Sequence, residues 1–186
     1  DNAPALVLRV RGLAAGRLED ALRLGRQLPA TPRLKVGEML DGYVITALVA
    51  DTGVHRLYQA REIATQALVA IKTLHEARAS DPEERAMLAH EAWLGSRVTA
   101  HDARGFVCVR DVAEPSAFYV VFDWHGGRTL EQTLREGRRL AVGEGVEAGL
   151  AVLRAHGRLH RQGVLHRDIK PANLHLGEDG QWRILD

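Results

Sequence analysis

The 186-residue sequence predicts an α+β fold: an antiparallel sheet of five strands with one main helix, followed by a largely helical part. Two observations carry this. Short runs rich in Val, Ile, Tyr and Phe recur between Tyr43 and Phe122 with polar turn residues between them. Capped segments with helical apolar spacing interrupt that series once and dominate beyond Thr129.

Taken in order, residues 1–10 end in a β-like run, ALVLRV, and residues 11–40 read as a linker. One short helix there rests on Leu18 and Leu22, before Pro29 and Pro32. Strands follow at Tyr43–Ala50, Gly53–Ala60 and Ala67–Leu74, and antiparallel pairing is the simplest arrangement of three such short neighbours. Ser80, Asp81, Pro82 and Glu83 form an S-x-x-E capping box with proline in the first turn, which predicts a helix running to about Val98.

Strands at Phe106–Asp111 and Ala117–Phe122 flank a turn at AEPS. Thr129 and Gln132 cap a short helix that ends at Gly137. A longer helix spans about Gly145 to Gln162, with Val146, Leu150 and Leu153 on one face and Gly163 closing it. Asp179-Gly180 fits the centre of a tight hairpin turn before a strand that ends at Asp186.

Composition narrows the function classes. With 46% hydrophobic and 26% charged residues the chain has material for a core. Its 25 Lys and Arg nearly balance 24 acids, so no net field draws it to nucleic acid or to anionic lipid. Cys108 is the only cysteine, which excludes an intrachain disulfide and a cysteine-based zinc site and suits a reducing, cytoplasmic compartment. No apolar run approaches the roughly 20 residues of a membrane span. The chain does not begin with Met, and we read it as a piece of a longer protein.

The chemistry is concentrated in VLHRDIKPAN, residues 164–173. An aspartate followed by lysine two positions on and asparagine five positions on can aim a carboxylate at a hydroxyl, a cation at a phosphoryl group and an amide oxygen at a metal ion. This stretch resembles the catalytic loop of protein kinases in its Ser/Thr form. Tyrosine kinases usually lack that lysine, and small-molecule kinases of related fold usually lack the arginine and the Lys-Pro pair. The bland reading is a polar surface turn.

The resemblance implies that Asp168 accepts or orients the substrate hydroxyl's proton, that Lys170 stabilises the γ-phosphoryl, and that Asn173 binds a Mg²⁺ ion. His166 packs behind the loop and Arg167 awaits an acidic or phosphorylated partner. VAIK at 69–72 is similar to the strand that carries the phosphate-holding lysine, here Lys72, with Ala70 on the same face. An exposed strand lysine is the alternative. On the capped helix Met87, Glu91, Leu94 and Val98 form one stripe, and a carboxylate on an apolar face needs a cation. Glu91 then pairs with Lys72; a bland surface glutamate is the alternative.

Asp186, at the end of RILD, stands where kinases place a second magnesium ligand. AFYVVFDWHGG (117–127) resembles the fifth strand and hinge, with Phe122 as gatekeeper and the backbones of Asp123 and His125 at the adenine edge. Val49, Gly53 and Leu57 complete the ATP-binding set that the resemblance implies. It also implies a two-lobed protein-kinase-like fold, with an N-lobe over residues 41–124 and a truncated C-lobe from 125 to 186.

Two departures stand out. Ala50, Thr52 and His55 occupy the three glycine positions of the family's phosphate-covering loop, and only Gly53 remains beside them. His175 stands where the family packs a hydrophobic residue under the adenine. These favour a pseudokinase as the rival reading; a small-molecule kinase is a third, disfavoured by DIKP. The nine histidines raise a metal site, above all His156 and His160 one helical turn apart, but no third ligand has an obvious place.

DNAPALVLRV at residues 1–10 resembles the closing motif of 2C-type metal-dependent phosphatases, with Asp1 at a metal-ligand position and Pro4 where that family has Thr or Ser. The order is similar to bacterial phosphatase-kinase fusions. That resemblance implies a covalently linked phosphatase domain, beside ATP and a protein substrate bearing Ser or Thr. A C-lobe cut short would leave apolar surface on the last helix and make the isolated piece poorly soluble.

Overall fold

A computed structural model describes residues 17–100 and 102–185. In chain order the elements are α1 (Leu18–Gln27), β1 (Met39–Leu40), β2 (Tyr43–Asp51), β3 (His55–Glu62), β4 (Leu68–Leu74), α2 (Pro82–Thr99), β5 (Val109–Arg110) and β6 (Val120–Asp123). There follow β7 (Gly127–Thr129), α3 (Leu130–Arg135), α4 (Val142–Arg161), a 3₁₀ turn at Pro171–Asn173, β8 (Leu174–Gly177) and β9 (Trp182–Ile184). The fold is the two-lobed α+β arrangement expected from the sequence.

The first sheet has six strands, not five, in the order β1-β2-β3-β4-β6-β5, and every pairing in it is antiparallel. The extra edge strand, β1, comes from a two-residue hairpin in which Asp41 and Gly42 both take positive φ, 45° and 88°. That Asp-Gly pair is a strong hairpin signal. A second sheet, β7-β8-β9, lies under the hinge.

Alternation along β4 divides the core. Val69 and Ile71 face one side with Ile45, Tyr58 and Val121, all at 1% exposure or less. Leu74 joins the other side, where α2 contributes Leu88 and Ala89 and β6 contributes Val120. Each large apolar side chain buried this way contributes about 1.5–3 kcal/mol against its exposed state. A third cluster, Val98, Phe106, Ala155, Leu159 and Ile184, ties α2 to α4 and β9.

Several element boundaries differ from the sequence reading for identifiable reasons. The N-cap of α2 is Asp81, whose Oδ1 accepts from the N–H groups of Glu83 and Glu84 at 2.9 and 3.5 Å, and not Ser80. Pro82 fits the first helical position, so the cap is the residue just before it. Met87 is 57% exposed, because the helix turns Leu88 and Ala89 to the sheet instead.

Only Val109–Arg110 of the strand expected at Phe106–Asp111 pairs, since Phe106 turns away to bridge Ile184. The capping box of α3 forms as expected, Gln132 N–H to Thr129 Oγ1 at 3.2 Å and Thr129 N–H to Gln132 Oε1 at 2.8 Å. The long helix starts earlier than Gly145, because the Glu144 carboxylate folds back to accept from Ala141 N–H at 2.8 Å. Val146, Leu150 and Leu153 do share one face, and it is the open one; Ala148, Ala155 and Leu159 are the buried residues. At the last hairpin the central residues are Glu178 and Asp179, with Gly180 left-handed at φ 73° and its N–H donated to Gly177 O.

Candidate active site

The site is built where the two sheets and α2 converge. Lys72 sits on β4, 9% exposed, and its Nζ donates to both carboxylate oxygens of Glu91 on α2, at 2.9 and 2.8 Å. A buried ammonium is costly without such a partner, so the pair fixes α2 against the sheet as well as the lysine. Ala70, two residues earlier, is buried and registers with Phe122 of β6; Leu57 of β3 registers with Lys72 itself. Val49 is 45% exposed near the end of β2.

The turn between β2 and β3 is closed by side chains. Thr52 Oγ1 bonds both the carbonyl and the N–H of His55, at 3.1 and 3.0 Å. Asp51 accepts from Gly53 N–H at 3.2 Å and from Arg56 Nε at 2.8 Å. Gly53 takes φ 77°, and a Cβ added there would meet nothing within 4 Å. Arg56, only 3% exposed, also bonds Glu76 at 2.5 Å and roots the turn in the sheet. Sequence reading did not single out Arg56 or Glu76; their pairing joins β3 to the turn after β4 and gives no local signal.

At the hinge, Asp123 donates its N–H to Cys108 O, and its carboxylate receives Arg110 Nε at 2.5 Å. Arg110 also reaches Glu62 at 3.1 Å. His125 is half-buried, and its pKa is lowered first by burial and then by Arg183. His175 on β8 is 7% exposed with its Nδ1 buried and lacking a hydrogen-bond partner. A Cβ placed on Gly127 would overlap Leu176 O and come 2.9 Å from Gly177 Cα and 3.1 Å from the His175 ring, so glycine at 127 lets β7 approach the backbone of β8 beside the imidazole.

The loop after α4 gathers the polar residues. Asp168 Oδ2 accepts from Lys170 Nζ at 2.7 Å and from Asn173 Nδ2 at 3.0 Å, while the same amide also donates to Asp168 O at 2.9 Å. Lys170 first, then Asn173, hold the Asp168 carboxyl below its ordinary range, so it stays ionised at neutral pH. Arg167 adopts φ 67°, and Asp168 N–H donates to His166 Nδ1 at 3.3 Å. His166 and Glu91 line the same cavity, of about 150 Å³, between α2 and this loop. Lys72, Asp168, Lys170 and Asn173 do not line it. Asp186 and Asp1 lie outside the described residues.

The donor set fits a hard divalent cation such as Mg²⁺, which prefers carboxylate and amide oxygens. With the Asn173 nitrogen engaged by Asp168, the amide oxygen is the atom left to ligate a metal. His156 and His160 have ring centroids 4.0 Å apart, but no group of three or more metal-ligating side chains occurs among the described residues.

A model of the protein kinase domain matches residues 52–186. This chain belongs to the protein kinase domain family. Among curated kinases it is similar to the probable serine/threonine-protein kinase SCO3848 of Streptomyces coelicolor, at 33% identity over 149 residues, which is 77% of this chain and 22% of that one. Serine/threonine-protein kinase pkn3 of Myxococcus xanthus is 30% identical over 71% of this chain and 24% of its own length. The chain thus spans less than a quarter of the length of these two kinases. The crystal structure of the Mycobacterium tuberculosis PknI kinase domain superposes with a TM-score of 0.65 at 24% identity, covering 83% of this chain and 61% of that kinase domain, a likeness of fold. No helix among the described residues is long and apolar enough to cross a membrane.

Proposed function

We propose that this kinase chain serves a Ser/Thr protein kinase that transfers the γ-phosphate of Mg-ATP to a hydroxyl of a protein substrate. The observation that carries the reading is the closed Lys72–Glu91 pair. In kinases that pair must be in place for the phosphates to be held. Lys72 presents its ammonium to the α- and β-phosphates, while Ala70, Val49, Leu57 and Phe122 enclose the base and the backbones of Asp123 and His125 meet its edge. Gly53 lies over the phosphates.

Asp168, kept ionised, accepts a hydrogen bond from the substrate hydroxyl and aims its oxygen at phosphorus. Lys170 balances charge on the transferred group. Asn173 and Asp186 would hold magnesium, which would supply further neutralisation of the phosphate oxygens when bound. Catalysis in this reading is positioning and electrostatics, with no covalent enzyme intermediate.

We further propose, from the resemblance of residues 1–10 to a 2C-type phosphatase terminus, that the parent chain joins a phosphatase to this kinase through residues 11–40, and that it works in the cytoplasm. The test is labelled phosphate transfer from ATP in the parent chain with the phosphatase metal site disabled, wild type against Asp168→Asn. Label in the wild type alone supports the kinase. Equal label in both sinks the assignment of Asp168.

A second reading, a pseudokinase that binds nucleotide and regulates the attached phosphatase, is favoured by the side-chain-locked turn of Asp51, Thr52 and His55 and by buried His175. ATP binding with no label in the wild type selects it.

A further inference from the structure

The segment before the sheet is built into the machinery that holds Glu91. Arg85, on the first turns of α2, is 8% exposed and spends its guanidinium on three backbone carbonyls: Gly25 at 2.6 Å and Leu28 at 2.5 Å, both at the end of α1, and Ala79 at 2.7 Å. The guanidinium also lies over the Phe118 ring, 4.9 Å from its centroid. Among the described residues no carboxylate lies within ion-pair distance of Arg85. A buried cation whose compensation is the negative end of a neighbouring helix ties that helix in place.

The other end of the bracket is Phe118, two residues before β6. Immediately after α1, Pro29 O accepts from Phe118 N–H at 2.8 Å, and Thr31 Oγ1 donates to Phe118 O at 2.7 Å. Leu22 and Leu28 pack into the cluster that separates α2 from the sheet. Gly25 makes the closest approach: a Cβ there would stand 3.1 Å from the Ala89 Cβ and 3.3 Å from the Phe118 ring. Thus α1 is bonded to α2, the residues just after it are bonded to Phe118, two residues before β6, and Glu91 lies less than two turns beyond Arg85 on the same helix.

We infer that α1, through Arg85 and the Gly25–Ala89 contact, is a positioning element that sets α2 at the distance from the sheet where Glu91 meets Lys72. Its effect on phosphate transfer rests on the kinase reading; its effect on the ion pair does not. Whatever moves α1 along its axis or away from Ala89 moves Glu91 with it, so the segment preceding the sheet can govern the site.

The test uses the parent chain without nucleotide and reads the rate at which acetic anhydride modifies Lys72, by mass spectrometry, with phosphate transfer measured in parallel. Arg85→Met keeps the apolar stem and removes the three hydrogen bonds. Gly25→Ala improves the helix propensity of α1 while crowding Ala89, and Ala89→Gly makes the space back at a cost in helix propensity. The inference expects Lys72 acetylation at least threefold faster in Arg85→Met and measurably faster in Gly25→Ala. It expects the double variant Gly25→Ala/Ala89→Gly to return to the wild-type rate although its α2 is intrinsically weaker, an order that a purely structural role would not give.

Where the wild type transfers phosphate, kcat falls in the same order with KM for ATP within about twofold. Lys72 acetylation unchanged in folded Arg85→Met, or a double variant no slower than Gly25→Ala, overturns the inference. A wild type that transfers no phosphate ends the kinase reading, while the acetylation rates still decide this one.

Discussion

Lys72 and Glu91, nineteen residues apart and on different elements, meet through two hydrogen bonds of 2.8 and 2.9 Å. The lysine side chain is 11% exposed and the glutamate 30%, so the pair lies between a buried and a surface ion pair. It is the join between sheet and helix on which the proposed chemistry depends.

Glu91→Gln keeps a hydrogen-bonding group and removes the charge, leaving the Lys72 ammonium short of compensation. The expected loss is about 1–3 kcal/mol, between the values for exposed and buried pairs. Urea unfolding at neutral pH measures it, and phosphate transfer should fall at least about tenfold, since a shift of 1.4 kcal/mol in the transition state has that effect.

Asp168→Asn should separate activity from stability. The carboxylate is more than half exposed, and an amide at 168 can still accept from Lys170 and Asn173. Thermal unfolding should stay within about 0.5 kcal/mol of wild type. Phosphate transfer should drop by roughly 10²–10⁴. A variant that loses its fold instead would place Asp168 among structural residues.

His175→Leu should tighten nucleotide binding. The imidazole is buried with Nδ1 unsatisfied, a situation that costs on the order of 1–3 kcal/mol, and leucine restores an apolar floor to the adenine site of the proposed function. Calorimetric titration with ATP and Mg²⁺ should show a lower Kd in the variant. A weaker Kd would mean that the imidazole is a ligand contact and not a misfit.

Acid should weaken the fold below the ordinary histidine range. His125 and His175 both titrate below 6.5, each first because burial disfavours the charged ring. Below pH 6.5 the unfolded chain therefore binds more protons than the native one. Stability from these groups is full above 6.5 and declines as pH falls through that value towards the folded-state pKa values, by at most about 1.4 kcal/mol per pH unit for each histidine. Urea midpoints from pH 7.5 to 5.5 give the slope, and His175→Leu should flatten it.

The polar cluster after α4 was legible because its residues are contiguous: Asp168, Lys170 and Asn173 lie within six residues, and in the structure they hydrogen-bond to one another. The pairing of Lys72 with Glu91 was also legible, from strand alternation and helical spacing, although the phase inferred for the helix wrongly put Met87 on the inner face. Local periodicity says that a helix has an apolar stripe, but the depth of each residue in it depends on what the helix packs against.

By itself, then, the sequence determined the antiparallel meander, the capped helix, the loop of Asp168, Lys170 and Asn173 and the order in which they come, because each is set by spacing along a few residues. Only the tertiary structure decided that residues 18–34 bind back onto α2 and Phe118, that Arg85 is buried among their carbonyls, that Arg56 roots the β2–β3 turn, and that the α4 face of Val146, Leu150 and Leu153 is open. These are contacts between residues far apart in the chain. Their free energy comes from geometry that forms once the sheet exists, and a side chain's own neighbours in sequence hold no record of it.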